Sequence, residues 1–124
     1  MRTLLKSVIA ALALLTAAPV MAQEIDKGMK AFQNGDFATA ISAWEPLAAR
    51  GDTEAQLMLC KHHITVRGGV PQAYIEGRGP PEDIARGVAM WRTQAQWCLL
   101  ASQDGSGEAL AELGYLYRNG LGVE

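Results

Sequence analysis

The chain has 124 residues, 49 % of them hydrophobic, with 11 Lys and Arg against 13 Asp and Glu. Its net charge of −2 and the lack of a basic cluster argue against nucleic acid and anionic membrane surfaces as partners. The length suits one small domain with a modest core.

The first stretch, "MRTLLK", carries Arg2 and Lys6 and leads into the uncharged 14-residue run "SVIAALALLTAAPV". Val20 and Ala22 in "VMAQ" then form the pattern at which a signal peptidase cuts after Ala22. The run is shorter than the roughly 20 residues of a bilayer-spanning helix, and no Cys follows the cut to take a lipid. Residues 1–22 therefore read as a cleavable signal peptide, with an uncleaved anchor as the alternative, implying a periplasmic or secreted protein with no stable membrane insertion after cleavage. Its removal takes away Arg2 and Lys6. Residues 23–124 then hold nine basic residues against 13 acidic ones, a net charge of −4.

The rest reads as helix. A first helix is expected over Ile25 to Gln33, stopped by Asn34-Gly35. Asp36 caps "FATAISAWEPLAAR", where Phe37, Ala40, Trp44 and Ala48 share a face and Pro46 is expected to kink the helix. Gly51-Asp52 turns the chain into "TEAQLMLCKHHITV", with Thr53 as the expected cap and Ala55, Leu59 and His62 or His63 on one face. The segment "RGGVPQAYIEGRGPP" has the composition of a loop, and an insertion is placed at about 65–80. The longest helix follows over about 82–103, with Ile84, Val88, Trp91, Ala95 and Cys98 on its inner side. A last helix is expected over about 107–119. Short turns between such helices give antiparallel neighbours.

An internal repeat emerges from these elements. "A-x-x-x-L-G-x-x-Y-x-x-G-x-G-V", with Ala109, Leu113, Gly114, Tyr117, Gly120, Gly122 and Val123, resembles the first helix and turn of a Sel-one-like repeat, a relative of the tetratricopeptide repeat. Ala40, Trp44, Ala48 and Gly51 resemble the second helix of such a unit. Ala55, Leu59, Cys60 and His63 form a weaker first helix, and Tyr74, Gly77, Gly79 and Asp83 supply a turn and the start of the next second helix. The resemblance covers residues 24 to 124 and implies an all-α fold, a short α-solenoid of stacked antiparallel hairpins. In it, small residues such as Ala55, Ala109 and Gly114 let helices approach closely. His63 and Tyr74 both stand at the motif's Tyr position, so the middle unit is distorted and its loop is expected to project. Leu110, Leu113, Leu116 and Tyr117 are expected to be partly covered, because the motif stops where a second helix would follow. Truncation of a longer family member, an edge that docks a partner or a second copy, or a last helix that packs differently would each account for that.

Cys60 and Cys98 are the only cysteines. Some exported relatives cross-link the two helices of a unit, which makes this pair a disulfide candidate. Two buried free thiols, or a metal or redox role, stay open beside it. "CKHH" places Cys60 and His63 one turn apart but lacks the further ligands of a zinc site. His63 reads as a core or groove residue, and no metal or cofactor is expected. Trp44 and Trp91 read as core, whereas Trp97 faces elsewhere. The Ser-x-x-Lys pattern of penicillin-binding enzymes is missing, since Glu45, Gly105 and Ala109 stand three residues after Ser42, Ser102 and Ser106. No catalytic residue is assigned. The resemblance implies an exported scaffold or adaptor for an unidentified envelope protein or peptide, or for self-association through the last helix. A small β-lactamase-like or cell-wall hydrolase is the alternative.

Overall fold

Residues 20–123 are described by the computed structural model, and within them all regular structure is helical. The predicted signal peptide lies outside this range apart from residues 20–22. Helix α1 covers residues 20–33, so it is already formed five residues before the expected start. It ends as predicted at Asn34-Gly35. Gly35 takes φ 76°, and the Asp36 N–H folds back to donate to the Ala31 carbonyl at 2.8 Å.

Helix α2 spans Phe37–Ala49 behind an Asp36 cap, whose carboxylate accepts from Thr39 N at 3.2 Å and Thr39 Oγ1 at 2.7 Å. Pro46 does not interrupt it. Pro46 and Ser42, four residues before it, are both exposed, so the carbonyl that Pro46 cannot pair faces water. Helix α3 spans Thr53–Val66, and its cap is Asp52 rather than Thr53: the Asp52 carboxylate accepts from Ala55 N at 2.8 Å. The expected loop at 65–80 contains a short helix, α4, Gln72–Glu76, closed by Gly77 at φ 64°. It does not project. Instead α4 packs on the next helix, where a Cβ at Gly87 would come within 2.4 Å of the Tyr74 ring.

Helix α5 spans Pro81–Ser102, with Pro81, Glu82 and Asp83 in its first turn, where a missing N–H and negative charge are best tolerated. Its buried side differs from the expected stripe. Gly87, Gln94, Ala95, Cys98 and Ala101 are buried, whereas Ile84 and Trp91 are half-buried and Val88 is exposed. The rotation follows from α4, because Tyr74 claims the Gly87 side of the first turns. Helix α6, Gly107–Asn119, starts at Ser106, whose Oγ accepts from Ala109 N at 3.2 Å, and stops at Gly120, φ 62°.

Helix α3 is the hub. It packs against α2, α5 and α6, and α5 in turn meets α4 and α6. One core gathers Ile25, Ala31, Ala40, Trp44, Leu47 and Leu59, and a second gathers Cys60, Ala95, Cys98, Ala109, Leu113 and Leu116. Leu57 and Trp97 pack against both. The α3–α5 seam is closed by a Cys60–Cys98 disulfide, with Cα atoms 4.5 Å apart, and by Ile64 N donating to the buried Gln94 Oε1 at 3.1 Å. Trp44 seals the first core. It is fully buried, lies 5.9 Å from the Phe32 ring between centroids, and its Nε1 donates to the Ile25 carbonyl. None of the described helices is long and apolar enough to cross a membrane.

A pair of glycine variants and one double-cysteine variant follow from this packing. A Cβ at Gly28 would fall 2.2 Å from the Trp44 ring, so Gly28→Ala is expected to destabilise by about 1–3 kcal/mol. Gly114 sits in exposed helix with nothing within 4 Å of a Cβ, so Gly114→Ala is expected to stabilise by about 0.4–1 kcal/mol. Thermal melts followed by circular dichroism read both, and equal effects would contradict the packing. Replacing both cysteines by Ser frees a loop with a sequence separation of 38 and is expected to cost roughly 3–4 kcal/mol in denaturant melts.

Candidate binding cleft

Helices α2 and α5 flank α3 without approaching each other along their backbones. The space left between them is a cleft of about 730 Å³. Glu45 of α2 stands on one side, His63 of α3 and Arg67 at its C-terminal cap form the floor, and Arg86, Met90 and Trp97 of α5 form the other side. The turn Gly68-Gly69-Val70-Pro71 closes one end. Both glycines have φ above 80°, so the chain leaves α3 in two left-handed steps that other residues rarely adopt.

The disulfide fixes this geometry. His63 lies one turn beyond Cys60 on α3, and Trp97 is the neighbour of Cys98 on α5, so the floor and one wall are tied at adjacent positions. The charges around the cleft are paired but not buried. Arg67 bonds Glu45, and Arg86 Nη2 lies 3.0 Å from Asp83 Oδ1; these side chains keep between 33 % and 64 % of their surface. Such exposed pairs orient side chains more than they stabilise the fold. His63 is itself buried at 5 % exposure, and its Nδ1 has no hydrogen-bond partner. No protein group at Nδ1 fixes its tautomer.

The expected repeat positions fall mostly into the core. Ala40, Trp44, Ala48, Ala55, Leu59, Ala109 and Leu113 are buried. Gly51, Gly77, Gly79, Gly120 and Gly122 all turn the chain with positive φ. Asp83 is in the first turn of α5, and Tyr74 half-buries itself on α5. Gly114 departs from its expected role, because it is exposed and no helix approaches it. The close approaches are at Gly28, Gly87 and Gly122, the last of which would put a Cβ 2.3 Å from the Trp91 backbone. Trp91 is half-buried with an unpartnered Nε1.

Helix α6 is covered unevenly. Leu113 and Leu116 are buried, contrary to the expected partial cover, because α3 as well as α5 packs on α6. Leu110, Tyr115 and Tyr117 remain exposed at 52 %, 48 % and 54 %. Lys61 Nζ reaches Glu108 Oε2 at 2.7 Å and joins the surfaces of α3 and α6. Sequence reasoning missed Arg67, Arg86 and Met90 altogether. Arg67 caps α3 inside the expected insertion and the other two lie on α5, so no local spacing marks them. Among the described residues, no three His, Cys, Asp or Glu side chains are grouped so as to hold a metal ion.

Burial lowers the pKa of both His62 and His63 below the ordinary 6.5, with Lys61 adding to the effect at His62 and Arg67 at His63. Glu45 opposes it at His63. Below about pH 6.5 the unfolded chain therefore binds protons that the folded chain does not. Stability is full above that value and falls as the pH drops through the lowered folded values. Melting temperatures recorded from about pH 7.5 to about pH 5.5 are expected to decline, and less so in a His62→Gln, His63→Gln variant. A variant as pH-sensitive as the parent would place the titration elsewhere.

No protein-family model, no curated protein and no solved structure matches the chain.

Proposed function

We propose that this chain is an exported protein–protein interaction adaptor of the Sel-one-like type, whose hairpins stack so that its first helices line a face for an envelope protein or peptide. The observation that carries this reading is the packing of α3 on α6. In a stack of hairpins, the first helix of one unit meets its own second helix and also the first helix of the next unit. Helix α3 does both, through α5 and α6. Its contact with α2 corresponds to the junction with the unit before.

The α3–α6 face has the makings of a docking surface. Tyr115, two turns along α6 from Glu108, offers an exposed ring with a hydroxyl handle beside the charged Lys61–Glu108 pair, whereas Leu110 and Tyr117 are exposed on the opposite flank of α6. Aromatic residues of this kind supply much of the energy at protein interfaces. A partner's apolar helix or an extended peptide would lie along that face. The Cys60–Cys98 bridge accords with export to an oxidising compartment.

Photo-crosslinkers placed at exposed residue 111 or 115, on the Glu108 side of α6, test this in cells. The adaptor reading expects both to capture one envelope protein reproducibly, while a crosslinker at exposed residue 26 on α1 does not. An Ala111→Glu, Tyr115→Glu variant, both positions being exposed, should lose the capture and keep its helical signal. Normal capture by that variant would remove the α3–α6 face as the docking site. Acylation of the chain by a labelled penicillin would favour the hydrolase instead.

A further inference from the structure

Helices α5 and α6 run antiparallel from a short turn, and Gly122, just past the end of α6, lies against the backbone of Trp91 in the middle of α5. Exposed Val88, Arg92 and Leu99 are spaced by four and seven residues and so share one side of α5. Exposed Leu110, Gly114 and Tyr117 share one side of α6 in the same way. The two sides adjoin. Val88 and Arg92 line a small recess with Gly120, Gly122 and Val123, and the opposite flank of α6 is held at α3 by the Glu108–Lys61 pair. Together they form an outer groove along the α5–α6 seam, with its large apolar side chains facing water.

Gly114 and two arginines narrow what fits that groove. A glycine inside a helix weakens it relative to alanine, so a packing reason is expected for each. Gly28 and Gly87, also inside helices, have one: the rings of Trp44 and Tyr74 stand where a Cβ would be. Gly114 faces open space in the middle of the groove, where it lets another backbone come close. Arg92 stands on the α5 rim, and Arg118, four residues after Gly114, on the α6 rim. The salt bridges among the described residues use Lys61, Arg67, Arg78 and Arg86, and neither of these two. Glu82, Asp83, Glu108 and Glu112, the acidic residues of α5 and α6, fall on other sides of their helices. A second copy laid across the groove would bring two pairs of arginines together, so charge disfavours self-association there and favours an acidic occupant. Both walls are helices whose backbone groups are already paired. They offer no ladder to an extended strand, whereas a helix arrives with its own backbone bonds made.

We propose that the α5–α6 groove binds an acidic amphipathic helix of a partner protein. Its apolar stripe lies on Leu99, Leu110 and Tyr117, its backbone passes over Gly114, and its carboxylates meet Arg92 and Arg118. The site is on the other flank of α6 from the adaptor face and does not depend on it.

Fluorescence anisotropy with a labelled helical peptide of about four turns provides the test, the peptide carrying a leucine stripe flanked by Glu. The same peptide with Lys in place of Glu is the control. The Glu peptide is expected to bind at one saturable site, at least about tenfold more tightly than the Lys peptide, and the difference should shrink as salt is added. An Arg92→Glu, Arg118→Glu variant, both positions being exposed, should reverse the preference. Gly114→Leu should abolish binding with the melting temperature retained, because the position is exposed helix. Equal binding of the two peptides, undiminished binding by Gly114→Leu, or no saturable binding would overturn the proposal. So would a dimer of the parent chain in sedimentation that Gly114→Leu dissolves.

Discussion

The covalent link between Cys60 and Cys98 holds together the two helices on which the others are hung. Helix α3 touches α2, α5 and α6, and α5 touches α4 and α6, so the α3–α5 seam carries every later contact in the chain. At the bridge the two backbones come to 4.5 Å between Cα atoms, and small residues make that approach possible along the second core. Ala95, Ala101 and Ala109 leave room, and Leu113 and Leu116 fill it. A chain this small gains little from its core alone. A constraint worth roughly 3–4 kcal/mol is then a large part of the total.

That seam also explains why the cleft exists. Helices α2 and α5 lie on α3 but not on each other, and the bridge keeps α5 from sliding across to close the gap. Gln94 adds a polar tie through Ile64 N one turn away from Cys98. The cleft and the α3–α6 face are thus two sides of one helix. One is lined by paired arginines and the buried His63, the other by exposed Tyr115 and the Lys61–Glu108 pair.

Features settled within a few residues were legible in the sequence. The Asn34-Gly35 stop, the Asp36 cap, the start of α6 at Ser106 and its end at Gly120 all depend on local backbone chemistry. The pairing of Cys60 with Cys98 was a candidate that the resemblance implied, with free thiols open beside it. Features that depend on a distant partner were not legible. Helix α4 hides in a Gly- and Pro-rich segment and is held by Tyr74 against Gly87, and this contact turns Val88 outward. Gly114 matches a repeat motif yet meets no neighbour, while Gly28 matches no motif and lies against Trp44. A glycine's role is decided by the surface it faces, and a single sequence does not contain that surface. The cleft escaped for the same reason, since Glu45, Arg67 and Arg86 become neighbours only after three helices have packed.

The claim that the α3–α5 seam organises the rest is tested most directly by amide hydrogen exchange on the oxidised and the reduced chain. The seam account predicts that reduction lowers protection in α3, α5 and α6 together, with α2 falling less because Trp44 and the first core remain. Unchanged protection in α3 and α5 after complete reduction would show that packing alone holds the helices, and would contradict the central role given to the bridge.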